Sequence, residues 1–299
     1  MDIVREYEYL QNIDLNMVKD RLPRRSDEGN KGTFGTLLCI CGSVGMTGAA
    51  IMSSSAAIRC GVGIVKLIVP DQIYDITAKH LVEPIFSPIH TSDEGTLDSL
   101  YMEDIMKNFE KCTACLMGCG LGWNSDIKKI VYNVIEKSEI PLVIDADGIN
   151  VISENINILK SAKSDIIITP HIGEMARLCK KEIEDLKVNK EKYARGLSKE
   201  YGITVVLKSD ITTITDSNGN TFVNRKKNSG MAKGGSGDVL AGIIGSFLSQ
   251  RMKPIDAAIC GVYIHSLAGE KCANDISKTS MLPTDIINEL PNIFLKIER

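Results

Sequence analysis

A glycine-rich run that ends in an acid occupies residues 229–238, with the sequence SGMAKGGSGD, and opens into an apolar segment with helical periodicity. Glycines let several backbone N–H groups point at one spot, and the start of a helix adds its partial positive charge. We therefore expect an anion hole at Gly235, Ser236 and Gly237. Asp238 at its lip is suited to take a proton from a group that attacks a phosphoryl group. The alternative is a flexible loop in which Asp238 only caps the helix.

Four more loops follow predicted strands, where open α/β sheets bind their ligands. Residues 41–48 and 118–122 are glycine-rich, which fits either a ligand lying close to the backbone or a tight turn. Asp145 and Asp147 can hold Mg²⁺ directly or through water, or belong to a helix cap. His171 is either a ligand contact or an ordinary loop histidine.

The elements that must position these residues follow a βαβ rhythm, which predicts an α/β fold with a mostly parallel sheet and helices on both faces. Strands are predicted at 36–41, 64–69, 113–117, 142–144, 165–169 and 204–207, with a hairpin of 211–215 and 221–224 around Asn218 and Gly219. Helices are predicted at 48–60, 97–109, 126–137, 151–162 and 186–201, and from Val239 onward with starts at Pro254 and Pro283. Without a linker or repeat, residues 1–299 are predicted to form one domain.

Composition narrows the class of protein. The 299 residues are 43% hydrophobic and 24% charged, with a net charge of −3, as in globular proteins that bury a large core. No basic cluster is interleaved with aromatic residues, which argues against nucleic-acid or membrane partners. The charged N-terminus lacks the apolar core of a signal peptide, so we expect a cytoplasmic protein with a small-molecule substrate.

The nine cysteines are an odd number without a secretory signal, which favours free thiols over a disulfide framework. Cys112, Cys115 and Cys119 are close enough in sequence to suggest a metal site. No second cluster with zinc-finger spacing follows them, so small buried apolar side chains are the preferred interpretation.

In this order, the motifs resemble the NAD(P)H-hydrate dehydratase family, a branch of the ribokinase-like fold. The resemblance covers nearly the whole chain from about Asn12. It is carried by Leu22-Pro23-Arg24-Arg25, Lys31-Gly32-Thr33-Phe34-Gly35, Gly42-Ser43, Gly48-Ala49-Ala50, residues 118–122 and 145–150, Thr169-Pro170-His171, and residues 234–242.

The resemblance implies an enzyme that repairs NADH or NADPH hydrated at C6 of the nicotinamide ring, at the expense of ADP or ATP and with Mg²⁺. Asp238 would take the proton of the C6 hydroxyl as its oxygen attacks the terminal phosphoryl group, while the glycine-rich amides hold the charge. Phosphate would then leave and restore the dihydropyridine. With ADP the other products would be AMP and phosphate.

The same resemblance assigns binding residues for the two substrates, because these positions match binding positions of the family. Those for the hydrated cofactor would be Ala49, Gly122, His171 and Asp238, and those for the AMP part of the nucleotide would be Lys208, Ser209, Asp210, Ile211, Thr212 and Gly237. The chain departs from the family pattern at Ile172, Ser209 and Lys227, where proline, glycine and glycine are usual.

The resemblance covers only the dehydratase half of many bacterial members. The chain is therefore expected to act on the S epimer, to depend on a separate epimerase, and to prefer ADP. A homotetramer is expected by analogy, with residues 257–268 as a candidate contact. The alternative function is an alcohol kinase of the same fold, of the hydroxyethylthiazole or hydroxymethylpyrimidine type. A dinucleotide-binding module without catalysis would explain the glycine loops but not Asp238.

Overall fold

A computed structural model describes residues 10–298, in which ten strands form one sheet. The strands are β1 (Leu10–Asn12), β2 (Thr36–Ile40), β3 (Ile64–Pro70), β4 (Ile85–Ile89), β5 (Ala114–Met117), β6 (Leu142–Ile144), β7 (Ile166–Ile168), β8 (Thr204–Leu207), β9 (Thr212–Thr215) and β10 (Thr221–Asn224). Their order across the sheet is β1-β10-β9-β8-β7-β6-β5-β2-β3-β4. All neighbours are parallel except β9, which is antiparallel to both β8 and β10.

The strand order reverses at the centre of the sheet. From β2 the chain moves outward through β3 to β4, and then returns to place β5 on the other side of β2. The loops after β2 and β5 therefore meet at a topological switch point, which is where open α/β sheets place their ligands.

Helices cover the sheet on both sides. They are α1 (Leu15–Arg21), α2 (Thr47–Arg59), α3 (Asp71–His80), α4 (Met102–Lys107), α5 (Ser125–Lys137), α6 (Ala146–Glu154), α7 (Ile172–Cys179), α8 (Ile183–Val188), α9 (Lys190–Tyr201), α10 (Ser236–Ser249), α11 (Pro254–Asp275) and α12 (Pro283–Glu298). Three short 3₁₀ segments lie at Ser99–Tyr101, Ile156–Ser161 and Ser229–Met231. Among these helices none is long and apolar enough to span a bilayer.

Each face of the sheet has its own apolar core, because successive side chains of a strand point to opposite sides. In β2, Leu37 and Cys39 pack with α2, α10, α11 and α12, whereas Leu38 and Ile40 pack with the helices of the other face, including α5 and α6. Burial on both faces accounts for the nearly continuous apolar strands. The predicted α/β class, with a mostly parallel sheet between two helical layers, is confirmed.

Several element predictions are wrong in detail. Helices α1, α3 and α7 and strands β1 and β4 were not predicted. Strand β4 lies at the edge of the sheet, where its Pro88 is tolerated because one side needs no ladder hydrogen bonds. The predicted helix 186–201 is interrupted at Asn189, and the predicted helix 151–162 is α6 followed by a 3₁₀ segment.

The helix proposed for a subunit contact is also assigned wrongly. Residues 257–268 belong to α11, and the apolar side chains of this stretch are mostly buried within the chain itself, as at Ala257, Ile259 and Ile264. This stretch therefore packs against the sheet and offers little apolar surface to another copy.

Candidate active site

The glycine-rich run ends at the first turn of α10. Gly235 is the N-cap residue with φ of +102°, a left-handed conformation that glycine adopts without strain. The helix then runs for 14 residues with almost every side chain buried, so its N-terminal N–H groups are held rigidly. Asp238 is the third residue of the helix and Gly235 is its N-cap residue, so the interpretation of this acid as the N-cap is wrong.

A buried ion pair faces this helix start. The ammonium group of Lys208, just after β8, lies 2.7 Å from Asp145 Oδ1 after β6. The Thr169 hydroxyl after β7 donates to the same oxygen at 2.6 Å. The residues that directly follow three neighbouring parallel strands therefore meet at one point. A Cβ placed on Gly237 would lie 3.3 Å from Lys208 Nζ, so the helix start is in contact with the ion pair.

Asp238 has the electrostatic environment of a general base. Burial raises its pKa to about 7, and the negative charge of Asp145 adds to this effect. A carboxyl that titrates near neutrality accepts a proton efficiently at pH 7. Oxygen atoms of Asp238 and Asp145 lie within 4.8 Å of each other and of Cys119 Sγ.

His171 is the N-cap residue of α7, and its hydrogen bonds fix its tautomer. Its Nδ1 accepts from the backbone N–H groups of Gly173 at 2.9 Å and Glu174 at 3.2 Å, so the proton of the neutral ring is on Nε2. Burial, with smaller contributions from Lys208 and Arg177, lowers the pKa of His171 and keeps the ring neutral at pH 7. The Glu174 carboxylate accepts from the His171 backbone N–H at 2.7 Å, which completes a capping box.

These groups surround a cavity of about 890 Å³. Most of the residues predicted for the nucleotide and the anion hole line it, namely Lys208, Ser209, Asp210, Thr212, Gly235, Ser236 and Gly237. Two of the residues predicted for the hydrated cofactor, His171 and Asp238, line it as well. Ile211, Ala49 and Gly122 are not among its lining residues.

Ala49 and Gly122 instead belong to the two glycine loops that meet at the switch point. The Ser43 hydroxyl after β2 donates to Gly120 O at 2.9 Å and joins these loops. A Cβ on Gly120 would lie 2.7 Å from the Ala49 Cβ, which shows how closely they pack. Gly122 donates its N–H to Asp147 Oδ2 at 2.9 Å. Cys119, which lies in the second of these loops, contacts Asp145 Oδ2 through its sulfur at 3.9 Å, so the two loops lie beside Asp145.

Two departures from the family pattern share one charged cluster. Lys227 Nζ lies 2.7 Å from Asp210 Oδ2, and Lys190 Nζ lies 2.8 Å from Asp210 Oδ1. These contacts lower the pKa of Asp210, and Lys190 also reaches the Ser209 hydroxyl at 3.3 Å. The loop after β8 is therefore held by side chains at the positions where glycine is usual.

Comparison with known proteins identifies the family. The sequence model described as NAD(P)H-hydrate dehydratase matches residues 37–292. The chain belongs to the NAD(P)H-hydrate dehydratase family.

Relatives differ in length. The ADP-dependent (S)-NAD(P)H-hydrate dehydratase of Neisseria meningitidis serogroup B is 33% identical over 251 residues, which cover 82% of this chain and 80% of the relative. The bifunctional NAD(P)H-hydrate repair enzyme of Moorella thermoacetica is 30% identical over 280 residues, 94% of this chain but 53% of the relative. The chain thus spans about half the length of such bifunctional relatives.

Solved structures agree with this family. The ADP/ATP-dependent NAD(P)H-hydrate dehydratase of Bacillus subtilis, co-crystallised with ATP and Mg²⁺, superposes with a TM-score of 0.82 at 25% identity and covers 95% of this chain and 97% of its own. A hydroxyethylthiazole kinase of Pyrococcus horikoshii has a TM-score of 0.61 at 15% identity, covering 94% of both chains, and shows only that the fold is shared. The ribokinase-like fold is confirmed, because a ribokinase-like superfamily protein of Enterococcus faecalis V583 superposes with a TM-score of 0.83 at 28% identity and covers 97% of both chains.

The residues of this dehydratase-family site fit Mg²⁺ in part. Mg²⁺ prefers oxygen ligands, and Asp145 Oδ2 is a carboxylate oxygen that remains free of the contacts made by Oδ1. Asp147 is held by another contact, since its Oδ2 accepts the Gly122 N–H at 2.9 Å. Among the described residues, the groups that come together with Asp145 are Cys119 and Asp238. The magnesium pair of Asp145 and Asp147, one of the two alternatives from the sequence, stays a prediction.

Sequence reasoning missed two contributors to the site. The sequence indicates Thr169 only as part of a motif, whereas in the structure its hydroxyl orients Asp145. The sequence favours a buried apolar role for Cys119; the residue is fully buried, but its sulfur lies 3.9 Å from Asp145 Oδ2. Its position between two strand-end glycines, Gly118 and Gly120, was the available signal.

Proposed function

We propose that this chain dehydrates the S epimer of hydrated NADH or NADPH to NADH or NADPH, with ADP or ATP as the phosphoryl donor. The observation that carries the proposal is the position of Asp238, a carboxyl of pKa about 7 in the first turn of α10, inside a cavity that also contains Lys208. Family membership supplies the class of reaction.

Proton transfer begins the reaction. Asp238 accepts the proton of the C6 hydroxyl, and the hydroxyl oxygen forms a bond to the terminal phosphorus of ADP or ATP as the bridging oxygen leaves with its electron pair. The N–H groups of Gly235 and Gly237 and the Lys208 ammonium stabilise the negative charge on the phosphoryl oxygens. The N–H of Ser236, the third residue expected in the anion hole, instead donates to Lys233 O at 3.2 Å. When bound, Mg²⁺ would neutralise further phosphate charge, and Asp145 is the side chain that would hold it.

Elimination completes the reaction. Phosphate leaves with the electron pair of the C6–O bond, the ring nitrogen supplies electron density, and C5 loses a proton. The sum is hydrated cofactor plus ADP giving NADH or NADPH, AMP and phosphate. With ATP the nucleotide product is ADP.

The two substrates would bind in different parts of the site. We assign the nucleotide to the loop after β8, with Lys208, Ser209, Asp210, Ile211 and Thr212, together with Gly237. Most of these residues line the cavity beside the helix start. We assign the hydrated cofactor to Ala49, Gly122 and His171, since the two glycine loops meet at the switch point next to Asp145 and Cys119.

Recovery of reduced-nicotinamide absorbance tests the function. Purified protein, Mg²⁺ and hydrated NADH or NADPH are mixed with ADP, with ATP, or with neither. We expect recovery only with a nucleotide, with AMP and phosphate as products of the ADP reaction. No recovery with either nucleotide from folded protein would reject the proposal, and a stable phosphorylated alcohol in assays with thiazole or pyrimidine alcohols would favour the kinase alternative.

Family resemblance also supports a homotetramer, a cytoplasmic location and dependence on an epimerase for the other epimer. Light scattering on the purified protein tests the tetramer. For epimer choice, a mixture of both epimers should lose only the S form until an epimerase is added. Consumption of both epimers by the purified chain would reject that dependence.

A further inference from the structure

The proposed base lies in an unusual set of donor atoms. Cys119 Sγ and one carboxylate oxygen each from Asp145 and Asp238 all lie within 4.8 Å of one another. Cys119 is fully buried, and the side chain of Asp145 is 1% exposed. Three different elements supply these side chains: the loop after β5, the end of β6 and the first turn of α10.

Asp145 is oriented so that one oxygen remains available. Its Oδ1 accepts from the Thr169 hydroxyl at 2.6 Å and from Lys208 at 2.7 Å. Its Oδ2 faces Cys119 Sγ at 3.9 Å, a long and weak contact for a buried carboxylate oxygen. Such outer contacts hold a metal-binding carboxylate in position.

We propose that Cys119, Asp145 and Asp238 form a binding site for a thiophilic divalent cation, Zn²⁺ or Cd²⁺, and that the bound cation withholds Asp238 from proton transfer. A thiolate sulfur is a poor ligand for Mg²⁺, but together with carboxylate oxygens it suits zinc and cadmium. This site is a property of these three side chains, and only its inhibitory consequence rests on the proposed function.

Both the positions and the charges of the three donors fit a divalent cation with tetrahedral coordination. At zinc bond lengths of roughly 2.0 to 2.3 Å, neighbouring ligand atoms lie roughly 3.3 to 3.7 Å apart. The three donors lie within 4.8 Å of one another, so they need to approach by at most about 1.5 Å. Ionised, the three donors carry three negative charges, of which Lys208 offsets one, so a divalent cation leaves the cluster neutral. Binding releases the thiol proton to solvent. Asp145 and Asp238 line the cavity, which gives the cation a path and leaves room for water as a fourth ligand.

Cadmium titration tests the site directly. Nucleotide-free protein is titrated with Cd²⁺ in excess Mg²⁺, and the ultraviolet band of a cadmium–thiolate bond is recorded alongside calorimetry. We expect one tight equivalent. Cys119→Ser, which keeps the size but replaces the sulfur with oxygen, should weaken Cd²⁺ at least about 10- to 100-fold and abolish the band, since loss of a direct ligand costs at least as much as loss of an outer one.

Cys179→Ser is the matched control, because Cys179 is the cysteine with partial exposure among the described residues. It should leave the tight equivalent unchanged. Asp238→Asn should weaken Cd²⁺ without removing the band at saturation, which separates ligand loss from misfolding. Thermal melts establish that each variant is folded.

Zinc inhibition provides the second measurement. If the repair activity is present, the half-inhibitory Zn²⁺ concentration, taken relative to each variant's own uninhibited rate, should rise at least about tenfold in Cys119→Ser and stay the same in Cys179→Ser. A tight cadmium equivalent that survives in Cys119→Ser, or none in the wild type, would overturn the proposal. Because the cadmium titration uses no substrate, its result stands even if the proposed reaction fails.

Discussion

Lys208 and Asp145 form one ion pair at the centre of the site, with 2.7 Å between Nζ and Oδ1. The side chain of Asp145 is 1% exposed and that of Lys208 is 20% exposed. Burial lowers the pKa of Lys208, but the charges of Asp145 and Glu174 outweigh this, so its pKa is raised and the lysine stays charged. The same contact therefore stabilises the fold and places a cation beside the start of α10.

Removing one partner of this pair should cost more than removing both. Lys208→Met leaves Asp145 buried without its cation, and we expect a loss of up to about 3 kcal/mol in the free energy of unfolding. The double variant Lys208→Met with Asp145→Asn should recover part of that loss. Urea denaturation of the wild type, Lys208→Met, Asp145→Asn and the double variant gives the coupling energy between the two side chains. Lys190→Met serves as a control, since its partner Asp210 is half exposed and the pair should contribute about 1 kcal/mol or less.

Asp238→Asn should abolish turnover but preserve nucleotide binding. The amide cannot accept the proton, and loss of a general base costs about 10²- to 10⁴-fold in kcat. Stopped-flow absorbance measures kcat, and calorimetry with ADP measures binding. Asp75→Asn on α3, an exposed position, should change neither. Wild-type turnover in Asp238→Asn would remove this acid from the mechanism.

Activity should rise with pH through neutrality. Burial, and then Asp145, raises the pKa of Asp238 to about 7, so the base is protonated and inactive below this pH. We expect kcat/KM for the hydrated cofactor to increase about tenfold per pH unit below about pH 7 and to level off above it. A profile that is flat across this range would show that Asp238 does not titrate there.

Glu174→Gln should stabilise the protein at high pH. Burial raises the pKa of Glu174 from 4.5 to about 7, so the folded state favours the protonated acid. Relative to the glutamine variant, the wild type keeps its stability below about pH 4.5 and loses it as pH rises to about 7, by up to about 3 kcal/mol. Melting temperatures of both proteins across this range measure the difference, and equal pH profiles would contradict it.

Gly237→Ala should weaken nucleotide use without loss of stability. The new methyl group would lie 3.3 Å from Lys208 Nζ and 3.7 Å from Asp145 Oδ2, where a phosphate is proposed to approach. We expect KM for ADP to rise about tenfold, a change of about 1.4 kcal/mol. Gly196→Ala in α9 has open space around its Cβ and should leave KM unchanged while raising the melting temperature. Equal KM values would place the phosphate elsewhere.

Local pattern was sufficient for much of the fold. Apolar runs that mostly end in glycine-rich or polar loops predicted β2, β3, β5, β6, β7 and β8, because strands buried on both faces are apolar along most of their length. Proline correctly marked the starts of α11 and α12. The apolar periodicity of edge strand β4 and of the short helix α7 is too weak to predict them. Their structure depends on contacts with neighbouring elements, which the sequence does not show.

The sequence by itself determined the family and the identity of the proposed base. A glycine-rich turn before an apolar helix can place Asp238 in the first helical turn by local geometry alone. Tertiary structure decided its surroundings. Asp145, Lys208 and Cys119 lie on separate segments that meet only because parallel strands bring their carboxyl ends to one edge of the sheet. Burial at that edge raises the pKa of Asp238, and burial is a property of the whole fold.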